Sequence, residues 1–183
     1  MTAAEETEDY AYTSIKSDQF RLIEVQGLEP EMRINLAEYS DDSPPEYFAL
    51  SYAWGSEDST EHILCNGMPF RITPHLKEGL ESIVNTCGSS YLWIDAICIN
   101  QKLDVEKETQ VAKMHEIYRK AKGVYVWLGP AKDDSDEAMS AINQVKLDDI
   151  VKRPLAEALL KYKSGATRLF DVALFRPLAA LVS

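Results

Sequence analysis

YLWIDAICINQ, Tyr91–Gln101, is the stretch on which the fold turns. Leu92, Trp93, Ile94, Ala96 and Ile97 make an almost continuous apolar run. A strand covered on both faces carries such a run, because neither side needs polar groups for solvent. Asp95 alone interrupts it. A carboxylate in an apolar layer must be hydrogen-bonded or paired, since an isolated buried charge is costly. The run ends in Asn100 and Gln101, two neutral amides at a strand-to-loop junction. In an open α/β sheet, ligands and functional loops gather at the carboxyl ends of the strands. One stretch therefore supplies a core strand, expected over 91–97, and the expected functional edge.

Two further apolar runs flank it, YFALSYAW at 47–54 and VYVWL at 124–128. Between them lie helical patterns. Thr73 and Pro74 open a helix over 74–86, as N-cap and first helical residue. Asp104 starts another over 104–122, with acids early and bases late, as the helix dipole favours. Ser135 caps a third over 135–146, and Pro154 starts a further one. This alternation predicts a parallel sheet with helices on both faces. The strands 47–54, 91–97 and 124–128 are expected side by side, with Trp93, Ile94, Ile97, Val126 and Leu128 in the core. Two hairpins, 20–39 and 62–72, read as additions to that sheet. Asn66-Gly67 marks the turn of the second, because both central positions take positive φ. Residues 1–13 read as an acidic disordered tail and 14–183 as a single α/β domain.

The chain has 183 residues and a net charge of −11, which argues against a nucleic-acid backbone as partner, since phosphate binding needs a basic face. No apolar run approaches the length of a membrane span. The N-terminus, MTAAEETEDYAYTS, lacks an apolar signal core. Cys65, Cys87 and Cys98 have no metal or disulfide spacing and suit a reducing compartment, so the expected location is cytoplasmic. His62, His75 and His115 lie far apart, and no metal site is expected.

The candidate ligand-binding residues cluster at the strand ends. Ser51, Tyr52, Trp54 and Gly55 close strand 47–54. They either line a cleft or, in the case of Tyr52 and Trp54, fill the core. Ser51 has no nucleophile elbow around it. Asp95 is either a switch-point acid or a structural one. Asn100 and Gln101 can donate and accept at once, which suits a ligand or a locked loop equally. Gln110 points into the same cleft or caps its own helix. Glu106, Glu108 and Glu137 fall in first helical turns, where carboxylates are usually solvated partners of the dipole.

Three blocks in this order resemble the fungal heterokaryon-incompatibility (HET) domain: ALSYAWG at Ala49–Gly55, LWIDAICINQ at Leu92–Gln101 and QVAKMHEIYRKAKGVYVWLGP at Gln110–Pro130. The resemblance covers roughly residues 20–145. It implies nonself recognition between fungal cells, with self-association or partner domains and cell death as the outcome. That family in turn resembles the Toll/interleukin-receptor (TIR) fold, which implies a flavodoxin-like open parallel sheet. Some TIR domains cleave NAD, so NAD is the possible substrate; no resident cofactor is implied. The family pattern continues into a Trp–x–x–Gln–Glu segment whose Glu resembles the TIR catalytic acid. RLFDVALFRPLAALVS reaches Arg176-Pro177 and ends without it. The chain is thus expected to stop short of that acid, leaving Glu137 as its weak stand-in.

Overall fold

A computed structural model describes residues 9–54, 58–88 and 90–130. In chain order its elements are β1 (Gln19–Gly27), β2 (Arg33–Ser40), β3 (Tyr47–Tyr52), β4 (Glu61–Cys65), β5 (Met68–Ile72), α1 (Pro74–Cys87), β6 (Tyr91–Trp93), α2 (Asp95–Cys98), α3 (Asp104–Ala112), α4 (Met114–Lys120) and β7 (Gly123–Trp127). The expected helix over 135–146, the one at Pro154 and the Arg176-Pro177 end lie outside the described residues.

The strands form one sheet in the order β5-β4-β2-β1-β6-β3-β7. The three strands expected side by side are so: β3 pairs in parallel with β6 on one side and with β7 on the other. The sheet as a whole is mixed rather than parallel. β1 runs antiparallel to β2 and to β6, and the β4–β5 hairpin joins β2 through a short parallel pairing. The first hairpin is therefore not an addition. β1 stands in the middle of the sheet, and Phe20 through Ile23 are all buried, Arg21 included. Arg21 alternates with Phe20 and Leu22 along β1, yet it is covered as fully as they are.

The second hairpin turns at Asn66 and Gly67, both at positive φ. Asn66 also extends the sheet with its side chain. Its Oδ1 accepts from Leu36 N at 2.8 Å and its Nδ2 donates to Leu36 O at 2.9 Å. This amide continues the ladder where the β2–β4 backbone pairing stops at Ile34 and Cys65.

Two faces of β3 meet different helices. Tyr52 and Trp127 lie against His75 of α1. Tyr47, an odd number of residues earlier and so on the opposite face, donates its hydroxyl to Ile117 O of α4 at 2.5 Å. On the α1 side the packing is close: a Cβ on Gly79 would sit 3.0 Å from the Trp127 ring. α1 begins as the sequence predicts, with Thr73 Oγ1 accepting from Leu76 N at 3.2 Å.

Three expectations need correction. The strand over 91–97 ends at Trp93, and Asp95–Cys98 wind into a helical turn whose Ile97 and Cys98 N–H groups donate to Ile94 O. A short apolar run carries no period that separates strand from buried helix. The helix over 104–122 is two helices, parted at Lys113, whose ammonium bonds Ser17 O, Gln19 O and the Asp41 carboxylate. In the expected core, Trp93, Ile94 and Ile97 are buried, but Val126 is half-buried and Leu128 is 47% exposed. Leu128 lies one residue past the end of β7.

Ile94 is fully buried at the point where the strand becomes a helical turn. Ile94→Ala should cost about 2–5 kcal/mol, the usual loss for a core truncation. A urea titration of the variant against the parent chain reads this directly.

Candidate functional site

The carboxyl ends of β3, β6 and β7 lie side by side, because these strands are parallel and adjacent. β3 ends in Ser51 and Tyr52, followed by Trp54. β6 ends at Trp93, which places Asp95 at the same edge. β7 delivers Gly129, and a Cβ there would stand 3.3 Å from the His75 ring of α1. The edge is thus walled by aromatic rings: Tyr52 lies 6.3 Å from His75, and His75 lies 5.8 Å from Trp127.

Asp95 is the central polar group. Trp54 Nε1 donates to its two carboxylate oxygens at 3.3 and 3.1 Å, and Ala96 N donates to Oδ1 at 2.8 Å. A buried Asp95 is expected to be partnered, and it is, by one backbone N–H and by the indole of Trp54. Burial raises the Asp95 pKa, and the bonds from Trp54 and Ala96 offset part of the rise. Two phenols feel its charge. Burial first, and then the Asp95 carboxylate, raise the Tyr52 pKa. The same causes push Tyr118 up to about 12, against a hydrogen bond with Ser51. Both phenols stay protonated at neutral pH. Trp54 is 46% exposed, so the Asp95–Trp54 pair opens to solvent. The arrangement can accept hydrogen bonds at a half-buried carboxylate and stack a flat group on an exposed indole.

Asn100 and Gln101 serve the loop that leads away from Asp95. Gln101 Nε2 donates to Asp95 O at 2.8 Å. Asn100 Oδ1 accepts from Lys102 N at 3.1 Å, a local side-chain turn. Both amides lock the loop. Gln110 neither enters the edge nor caps its helix. It is 1% exposed and its Nε2 donates to Gln19 O of β1 at 2.9 Å. Gly55 and Glu137 lie outside the described residues. Among the described residues no group of three or more His, Cys, Asp or Glu is placed to hold a metal ion.

Glu106 departs furthest from expectation. It is not solvated but lies at the back of the loop, with Arg21 Nη1 donating to Oε1 at 2.7 Å and Nη2 to Oε2 at 3.0 Å. Glu106 Oε1 also accepts from Asn100 N at 2.8 Å, and Arg21 Nη1 donates to Cys98 O at 3.1 Å. Burial alone would raise the Glu106 pKa; the hydrogen bonds from Arg21 and Asn100 and the guanidinium charge outweigh it and hold the pKa below the ordinary value. Glu108 is exposed. Sequence reasoning missed Arg21, Tyr118 and His75. One signal was present for the first: Glu106 and Gln110, four apart on one helical stripe, are two inward polar positions that require partners.

Among the described residues, the fold and edge define an α/β domain with a mixed seven-stranded sheet and a carboxyl-end aromatic site. Residues 47–177 match the heterokaryon incompatibility protein (HET) family, and the chain belongs to that family. It is 40% identical over 115 residues to "Heterokaryon incompatibility protein 6, OR allele" of Neurospora crassa. The aligned part is 56% of this chain and 17% of that protein, so the chain spans a small fraction of its relative. No solved structure matches the chain. Arg21 precedes the segment that matches the family.

Two outcomes follow from these bonds. Glu106→Gln leaves the buried Arg21 cation without its counter-charge and should cost about 3–5 kcal/mol. Because the folded state lowers the Glu106 pKa, its contribution is complete above the ordinary carboxylate range and is lost as pH falls through the lowered value. The stability gap between parent and variant should therefore narrow in urea titrations run at progressively lower pH. Asp95→Ala should cost only about 1 kcal/mol, since the indole N–H of the exposed Trp54 can turn to water, and the Trp54 emission should shift toward that of solvated indole.

Proposed function

We propose that this chain is a signalling module of fungal nonself recognition, in which association of domains triggers cell death. Membership of the HET family over residues 47–177 carries it. The relative named for heterokaryon incompatibility adds support, while its far greater length leaves partners and trigger to the rest of such proteins. The module works in the cytoplasm, where its buried Cys65 and Cys98 stay reduced. The geometry favours an interaction role. At the carboxyl edge the Asp95 carboxylate is taken by Trp54 and Ala96, and Glu106 is taken by Arg21 and Asn100. Among the described residues, that edge exposes two large apolar side chains, Trp54 and Leu128.

A second reading has an observation of its own. In β6-β3-β7 the first strand of the parallel set lies between the second and third, the order in which a flavodoxin-like sheet begins. That order supports a TIR-like relationship and draws attention to NAD as a substrate. Cleavage of its N-glycosidic bond builds positive charge on the ribose, which a placed carboxylate stabilises. Asp95 is at the right edge, but its oxygens already serve the indole and the turn.

Forced association separates the two. Fused to a chemically inducible dimeriser and expressed in a filamentous fungus, residues 1–183 should reduce viability when the dimeriser is added and not before. Viability unchanged by dimerisation would overturn the signalling proposal. Purified chain incubated with NAD should release no nicotinamide above a heat-killed control; release that disappears in Asp95→Asn would establish the glycohydrolase instead.

A further inference from the structure

Ahead of β1, residues 10–13 make defined contacts, although they belong to the stretch 1–13 whose acidity suggests a disordered tail. Tyr10 through Thr13 run as an extended strap against the body of the domain. Tyr10 N donates to Pro69 O of β5 at 2.8 Å. The rings of Tyr10, Tyr12 and Phe70 meet edge to face, at 5.2, 5.9 and 6.1 Å. Further along, Arg21 lies over the Tyr12 ring at 4.9 Å, and its Nη2 donates to Thr13 O at 2.5 Å. The Thr13 hydroxyl bonds the Glu38 carboxylate. Most telling is the Tyr12 hydroxyl, which donates to Ile97 O at 2.8 Å. Ile97 belongs to α2, and its carbonyl is one of those that a helical turn leaves unpaired.

We infer that the Tyr10–Thr13 strap is a clasp that fixes residues 94–101, so that engagement or release of the N-terminal segment changes the edge carrying Asp95 and Gln101. The clasp reaches that edge by two routes. One is direct, from Tyr12 to Ile97 O. The other runs from Thr13 O and the Tyr12 ring through Arg21 to Cys98 O, and through Glu106 to Asn100 N. Its release leaves the sheet intact. Arg21 retains both bonds to Glu106, and the β1 ladders to β2 and β6 do not involve the strap. At the edge, what is lost is the donor to Ile97 O and the cover over the guanidinium; away from it, the strap's bonds to Pro69 O, Arg21 Nη2 and Glu38 go as well. The joint to β1, residues 14–18, is exposed except for half-buried Ile15. Segments held by few contacts open at the lowest free energy.

This inference rests on taking residues 95–101 as the working edge of the proposed module, yet its test is independent of cell death. Tyr12→Phe in the full chain keeps the ring over Arg21 and removes only the bond to Ile97 O. Amide hydrogen exchange should then quicken about five-fold at Ile97, Cys98, Ile99 and Asn100, the effect of one typical hydrogen bond on local opening. Amides of the β3–β7 ladder should be unchanged. Tyr10→Ala, which loosens the other end of the strap, should give the same pattern. Exchange that is unaltered at 97–100, or that rises equally on β3 and β7, would overturn the clasp. Loss of lethality on forced dimerisation would overturn the proposed function and leave the clasp standing.

Discussion

The buried ion pair between Arg21 and Glu106 ties the central strand to the start of α3 and to the loops around it. Arg21 sits on the central strand, fully covered, and Glu106 on the first turn of α3. The two-pronged geometry satisfies both carboxylate oxygens, and further bonds reach backbone at Thr13 O, Cys98 O and Asn100 N, leaving the buried Arg21 Nε without a partner. Burying two charges is costly in itself. The compensation is that every neighbouring loop is bound to the same pair. The N-terminal strap, the α2 turn and the start of α3 all end on it.

That joint explains why the loop after β6 can be so irregular. β6 has three residues and pairs on both sides, with β1 and with β3. The chain then leaves the sheet at Ile94, turns once, and runs through Asn100 and Gln101 into α3. A loop of this kind would have several conformations if held only by its own side chains. Here Gln101 ties it to Asp95 O, Asn100 closes a local turn, and Glu106 anchors the backbone from behind. Asp95 is presented at the parallel carboxyl edge as a consequence, beside Trp54 and within the electrostatic reach of Tyr52 and Tyr118.

The mixed sheet has a related logic. The parallel set β6-β3-β7 would leave one side of β6 unpaired, with its N–H and C=O groups open. β1 takes that side in antiparallel sense through Ile23 and Glu24. The β1–β2 hairpin thereby becomes part of the site's foundation, although the family match begins only at residue 47.

Sequence alone determined the elements with a clear local signature. Alternating strands and helices predicted the α/β class, the adjacency of the runs 47–54, 91–97 and 124–128, the Asn66-Gly67 turn and the Thr73 cap, because each depends on periodicity or on neighbours a few residues away. It also brought Asp95, Tyr52 and Trp54 to one edge, since strand ends are legible once strands are. Tertiary structure decided the rest. Whether Arg21 faces water depends on which strands lie beside β1, and whether Glu106 is solvated depends on a cation 85 positions away. The turn at Asp95 looks like strand because an apolar run this short satisfies either period, and only the packing of Ile97 and Cys98 beneath β1 selects the helix. Local rules fix what a segment can be, and long-range pairing of charges and strands fixes what it faces.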